Sequence, residues 1–108
     1  MNAQLGTLEE MILILLLMKE ETYGFEIVKE YKSQLGQSIS LPAIHVVLKR
    51  LEKKGLVVSR KGNPTPERGG KGKRMYKATA DGYRAAQELQ EKRSQIWEKI
   101  PRLNFSFF

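Results

Sequence analysis

Apolar positions recur along the chain first with a helical period, then with a two-residue period, then with a helical period again. Every residue from Met11 to Met18 is apolar, and Leu8, Met11, Ile12, Leu15 and Leu16 fall at helical spacing. Thr7-Leu8-Glu9-Glu10 fits a capping box, with Thr7 as N-cap and Glu10 three residues later. Ile14, Leu17 and Met18 fill the remaining faces. A helix apolar all round is buried all round, so this one is expected between its own core and a partner chain. Glu20-Glu21-Thr22 breaks the run, and Thr22 is placed to cap a second helix. Its predicted core face is Phe25, Ile27, Val28, Tyr31 and Leu35, and its stop is Gly36. Ser40 caps a third helix with Pro42 in the first turn, where the missing N–H costs nothing. Ile44, Val47, Leu48 and Leu51 have the spacing of a buried stripe. At about 100° per residue, Pro42, Val46, Lys49, Arg50 and Lys53 lie on the opposite face. Lys54-Gly55 ends the helix.

The period then changes. Leu56–Arg60 and Lys73–Ala78 read as two strands, the second alternating basic and less polar positions. A Gly/Pro-rich, basic connection from Lys61 to Gly72 joins them and is longer than a tight hairpin turn. Thr79 caps a last helix, Ala80 to Ile100, which Pro101 terminates. Tyr83, Ala86, Leu89, Ile96, Trp97 and Ile100 form its stripe, interrupted by Gln90 and Arg93. The tail from Leu103 to Phe108 holds three phenylalanines and no charge. It either covers apolar surface or is a loose end. The predicted fold is mainly α with a small β-hairpin, in the order α-α-α-β-β-α. That is the order of a winged helix-turn-helix with a long C-terminal helix. Residues 1–78 are expected to form the winged unit, and 79–108 a dimerisation helix with an apolar tail.

Composition narrows what such a chain does. Its 108 residues make one domain's worth, and the absence of cysteine excludes disulfides and thiolate metal sites. His45 is the single histidine, so no histidine cluster exists, and no motif pairs a nucleophile with a base. No enzyme activity and no cofactor are expected. The longest apolar run falls far short of the roughly 20 residues of a membrane span. Glu9 and Glu10 precede it, so it lacks the basic start of a signal peptide, and a cytoplasmic location is expected.

Charge points to a partner. The net charge is +7, and residues 41–84 carry 12 of the 19 Lys/Arg but only 3 of the 12 Asp/Glu. Basicity concentrated in this way is the footprint of nucleic-acid binding, here double-stranded DNA. In a winged helix-turn-helix the third helix enters the major groove and the wing reaches flanking backbone. Ser40 and the free N–H groups at the start of that helix suit a phosphate. Arg50 is suited to read a guanine edge, and Lys49 and Lys53 to neutralise phosphates. Pro42 and Val46 share their face. His45 sits between that face and the core stripe, in either a structural or a phosphate-contacting role. The wing adds Arg60, Lys61, Arg68, Lys71, Lys73 and Arg74, and Gly69, Gly70 and Gly72 permit close backbone approach. A protein–protein module of the same shape would not need this charge. An RNA-binding winged helix would call for exposed aromatics, where the wing offers only Tyr76 beside Met75. Leu8, Ile12, Leu15, Tyr83, Leu89, Ile96, Trp97 and Ile100 are the candidates for a surface between two subunits. Within it, Trp97 is either a packing aromatic or, with Tyr83 or the first helix, the wall of a cavity for planar ligands.

The same residues carry a family resemblance. Leu5-Gly6-Thr7-Leu8-Glu9, Tyr23-Gly24-Phe25-Glu26-Ile27, the run from Leu48 to Leu56 and the run from Gly69 to Gly82 together resemble PadR-type transcriptional regulators. The resemblance spans roughly residues 5–86. It implies a dimeric repressor of bacterial transcription whose last helix serves dimerisation. The short C-terminal region is similar to the branch with a single terminal helix. Members often respond to small aromatic or drug-like compounds, which implies such an effector here. Two departures stand out: His45-Val46 replaces a usual Tyr-Pro, whose tyrosine commonly helps contact DNA backbone, and Pro64-Thr65-Pro66-Glu67 looks inserted in the wing.

Overall fold

Helix α1, Thr7–Leu17, begins one residue earlier than the capping pattern predicts. Gly6 rather than Thr7 is the N-cap, and Glu9 rather than Glu10 reaches back to accept the Gly6 N–H at 2.8 Å. Two adjacent glutamates make the sequence ambiguous by one position, and long-range pairing resolves it. Glu10 points inward, where both its oxygens accept from Arg93 at 2.7 and 3.0 Å. The computed structural model describes residues 4–64 and 72–101.

The turn after α1 holds a short strand, β1 (Thr22–Tyr23), which the sequence pattern did not reveal. Thr22 is buried there, and its hydroxyl donates to Glu26 at 2.7 Å instead of capping a helix. Helix α2, Gly24–Leu35, starts at Tyr23 as N-cap and stops at Gly36, whose φ of 68° is the left-handed conformation that favours glycine. Ile27 and Tyr31 face the core, whereas Phe25, expected there, is exposed with the Lys29 ammonium over its ring. Helix α3, Leu41–Lys53, is capped by Ser40, whose hydroxyl oxygen accepts the Ala43 N–H. Ile44, Val47, Leu48 and Leu51 are buried, as their spacing predicts.

Strands β2 (Val57–Pro64) and β3 (Gly72–Ala78) form the wing, longer than the sequence suggests, and β1 pairs with β3 on its other edge. All pairings are antiparallel, with Val57 opposite Ala78, Ser59 opposite Tyr76, and Lys61 opposite Arg74. Val57 and Tyr76 are buried, so this set of residues faces the helices. Val58, Arg60, Lys73, Met75 and Lys77 take the outer face.

Helix α4, Ala80–Glu98, is capped by Thr79, whose hydroxyl accepts the Gly82 N–H and donates to the Gly55 carbonyl. Gly82 and Ala86 are buried against the body. From Glu91 to Pro101 every residue is exposed. One core unites Ile12, Leu13, Leu15 and Leu16 of α1 with Ile27, Tyr31, the α3 stripe, Leu56, Val57, Tyr76 and Ala86. Ile12 and Leu15, expected at a subunit interface, lie in this core and leave almost no surface. The helix apolar all round is thus covered on most sides by its own chain, while Met18 stays exposed and Met11, Ile14 and Leu17 are half-buried.

Candidate nucleic-acid interface

The core stripe of α3 fixes what the helix turns outward. Pro42, His45, Val46, Lys49, Arg50 and Lys53 are all exposed. Lys49, Arg50 and Lys53 form no hydrogen bond or ion pair among the described residues, although the Arg50 charge acts on Glu9 and helps to lower its carboxyl. The face also carries an apolar patch, since Val46 is half exposed. Ser40 holds the helix start through its cap.

His45 lies on the shoulder of α3 against Gly24. A Cβ at Gly24 would come within 3.1 Å of the His45 ring and 3.0 Å of Leu41 Cδ1. Glycine at the start of α2 therefore lets the two helices approach closely. His45 is both an exposed polar group and a packing element of the helix-turn-helix. Among the described residues no group of acidic, histidine or cysteine side chains suits a metal ion.

The wing's basic residues are not equivalent. Lys61 and Arg74 sit on the face turned toward α3, and Arg60 and Lys73 on the other. Arg60 is engaged by Glu21, which accepts from its Nε and a terminal nitrogen, both at 2.7 Å. That pair holds the Glu21 carboxyl below its usual range and raises Arg60. Lys73 lies over the Tyr23 ring, 3.9 Å from its centroid. Arg74 donates through Nε to Ser59 Oγ at 3.1 Å, and Ser59 donates to Glu52 on α3 at 2.7 Å. The sequence did not single out Glu52 or Ser59. Strand register exposes their relation to Arg74, and register cannot be read across a connection of this length. Arg68, Gly69, Gly70 and Lys71 lie outside the described residues.

Two salt bridges tie the α1 start to functional elements. Lys54, just after α3, donates to both Glu9 oxygens at 2.9 and 3.0 Å. Burial would push Glu9 up, but the Gly6 N–H, the Lys54 hydrogen bond and nearby cations outweigh it, and its carboxyl sits below the usual 4.5. Glu10 is almost fully buried, and Arg93 of α4 compensates its charge.

The predicted interface residues on α4 divide. Leu89 is half-buried and lines a groove of about 520 Å³ with Leu5, Leu56 and Ala85. Tyr83, Ile96, Trp97 and Ile100 are exposed, Trp97 to 72%. On α1, Leu8 is half-buried.

A helix-turn-helix whose second helix offers exposed cations with no ion-pair partner among the described residues, braced by a basic antiparallel wing, defines a winged-helix DNA-binding regulator. The Transcriptional regulator PadR-like family matches residues 12–88, and the chain belongs to that family. It is accordingly a transcriptional regulator and not an enzyme. Among solved structures it is similar to a PadR-like transcription factor from Bacteroides fragilis, at 26% identity over 86% of this chain and 85% of that one, with a TM-score of 0.76. A PadR-family regulator from Eggerthella lenta shares 25% identity over 82% of this chain and 75% of that one, with a TM-score of 0.67. One from Clostridium difficile, at 24% identity over 86% and 93%, has a TM-score of 0.72 and supports the fold. No curated protein matches the chain in sequence. Among the described residues no helix is long and apolar enough to cross a membrane.

Proposed function

We propose that the chain is a cytoplasmic repressor that binds a pseudo-palindromic operator as a homodimer. Residues 1–78 grip DNA and residues 79–108 pair the subunits. The observation that carries this reading is the exposed face of α3, where Lys49, Arg50 and Lys53 form no hydrogen bond or ion pair among the described residues. Arg50 reads a base edge, Lys49 and Lys53 contact phosphates, and Pro42, Val46 and the Ser40 cap fit the helix into the groove. His45 contacts backbone from the shoulder. Lys61 and Arg74 extend the contact along the wing. Arg60 braces the wing through Glu21, and Lys73 stays with Tyr23. Exposure of Ile96, Trp97 and Ile100 supports pairing through α4, and a planar effector stacking on Trp97 would alter the distance between the two α3 helices. In a two-fold dimer those helices meet successive grooves about 34 Å apart.

Selection of bound sequences from random duplex DNA tests this reading, with an inverted repeat as the expected product. Arg50→Ala is expected to relax preference at one position per half-site, a loss of about 1–3 kcal/mol in discrimination. Lys49→Ala is expected to weaken all sequences alike. An unenriched pool would refute specific DNA binding, and an enriched site without symmetry would refute the dimer.

A further inference from the structure

Arg60 and Arg74 both stand on the wing stem, yet their guanidinium groups are used differently. Glu21 occupies the edge of Arg60 formed by Nε and one terminal nitrogen, on the outer face of the sheet. Among the described residues Arg74 is held through Nε alone, by a serine that is itself anchored to α3 by Glu52. Its two terminal amino groups have no partner among the described residues. Glu52 lies on the same shoulder of α3 as His45, about two turns along, and not on the face of Lys49 and Lys53. A chain of two hydrogen bonds therefore joins the side of the DNA-facing helix to an arginine on the wing.

We propose that Glu52 and Ser59 are positioning residues that aim Arg74 at a backbone phosphate flanking the groove entered by α3. This rests on the DNA-binding reading above and assigns roles to residues that touch no DNA themselves. Guanidinium geometry makes the arrangement possible. The planar fork has five donors, so a bond at Nε fixes its plane and leaves the outer pair free to grip two phosphate oxygens. A lysine ammonium has no such plane. Holding the side chain before binding removes part of the ordering cost that a free arginine meets on DNA. The anchor belongs to α3, so the wing contact and the groove contact keep a fixed relation to each other.

The test measures affinity for a selected duplex across a salt series in the full chain, with thermal midpoints as a check on folding. Arg74→Ala is expected to lower the slope of log affinity against log salt by about 0.9 per bound protomer. Ser59→Ala and Arg74→Lys are each expected to lose about tenfold in affinity, and Ser59→Ala to reduce the slope nearly as far as Arg74→Ala. Ser59→Thr keeps the hydroxyl and is expected to keep the parent slope. The Ser59→Ala, Arg74→Ala double variant is expected to bind no worse than Arg74→Ala alone. A purely structural role for Ser59 would lower the thermal midpoint and leave the slope unchanged. If Lys49→Ala lowers the slope and Ser59→Ala does not, or if the two losses multiply, the relay is overturned while the DNA-binding reading stands. If neither Lys49→Ala nor Arg74→Ala changes the slope, the DNA-binding reading itself fails.

Discussion

Gly82 occupies a place in the first turn of α4 that no side chain fits. A Cβ there would stand 2.3 Å from the Leu56 carbonyl oxygen, which is backbone and already accepts the Thr79 N–H. Two effects oppose each other in Gly82→Ala. Helix propensity favours alanine by up to about 1 kcal/mol. Displacing packed backbone costs about 1–3 kcal/mol, and overlap this deep belongs at the upper end. Net destabilisation of about 1–2 kcal/mol is therefore expected, read as a lower urea midpoint at unchanged slope. A midpoint equal to or above that of the parent would show that α4 can shift off Leu56 at little cost. Glu10 presents the same logic in charge rather than volume. Its carboxylate is almost fully buried, and the only described group that compensates it lies 83 residues away on α4. The Glu10–Arg93 pair fixes where α4 lies on α1, since a buried carboxylate without a partner is strongly disfavoured.

At the scale of elements, the helices were legible because each carries its own period and its own punctuation. Ser40, Pro42, Gly36 and Thr79 act locally, and the structure finds them in the roles their chemistry predicts. What escaped the sequence was whatever depends on a distant residue. The strand β1 is only two residues long and exists because β3 offers an edge. Phe25 reads as core by type and period but lies outside, paired with Lys29. The difference between Arg60 and Arg74 depends on Glu21 and Glu52, and neither link has a local signature. Long-range ion pairs also predict how the elements respond to acid. Glu9 is lowered against the pull of burial by Gly6 and Lys54, and Glu26 is lowered by the Thr22 hydroxyl and by Lys19. A carboxyl with a depressed folded value binds fewer protons folded than unfolded near its ordinary pKa of 4.5. Its stabilisation is therefore complete above that value and is lost as pH falls through the lower folded one. Urea midpoints are expected to hold from pH 7 to about 5 and then to decline. Glu9→Gln can still accept the Gly6 N–H but loses the charge facing Lys54, so it should show a shallower decline. An identical decline in parent and variant would remove Glu9 as a contributor.

The molecule as a whole is elongated, with extents of 59 × 34 × 20 Å. Its radius of gyration is 16.9 Å, against about 13 Å for a compact domain of this size. Excess length comes with exposed apolar area, since Ile96 and Trp97 on the last turn of α4, and Ile100 just past its end, lie beyond the tie to the body at Arg93. A lone chain would leave a tryptophan 72% exposed beside two isoleucine side chains, which is costly in water. A second α4 offers the same apolar face and so a self-complementary surface, as two-fold pairing requires. Trp97 is the single tryptophan, which makes its fluorescence a direct reading of that surface. Emission is expected to be blue-shifted in concentrated solution and to move to the red on dilution as Trp97 meets water. Ile96→Asp, which would bury two carboxylates in an apolar seam, should emit in the red at every concentration and sediment as a monomer. Trp97→Ala is expected to raise the dimer dissociation constant at least about 30-fold, the ratio for a hot-spot loss near 2 kcal/mol. Because α3 lies in the body and not on this part of α4, neither change should disturb the contacts of a single half-site. Affinity for an isolated half-site should then be nearly unchanged while affinity for the full inverted repeat falls. Equal losses on both duplexes would mean that α4 supports the fold of the body rather than the pairing of subunits.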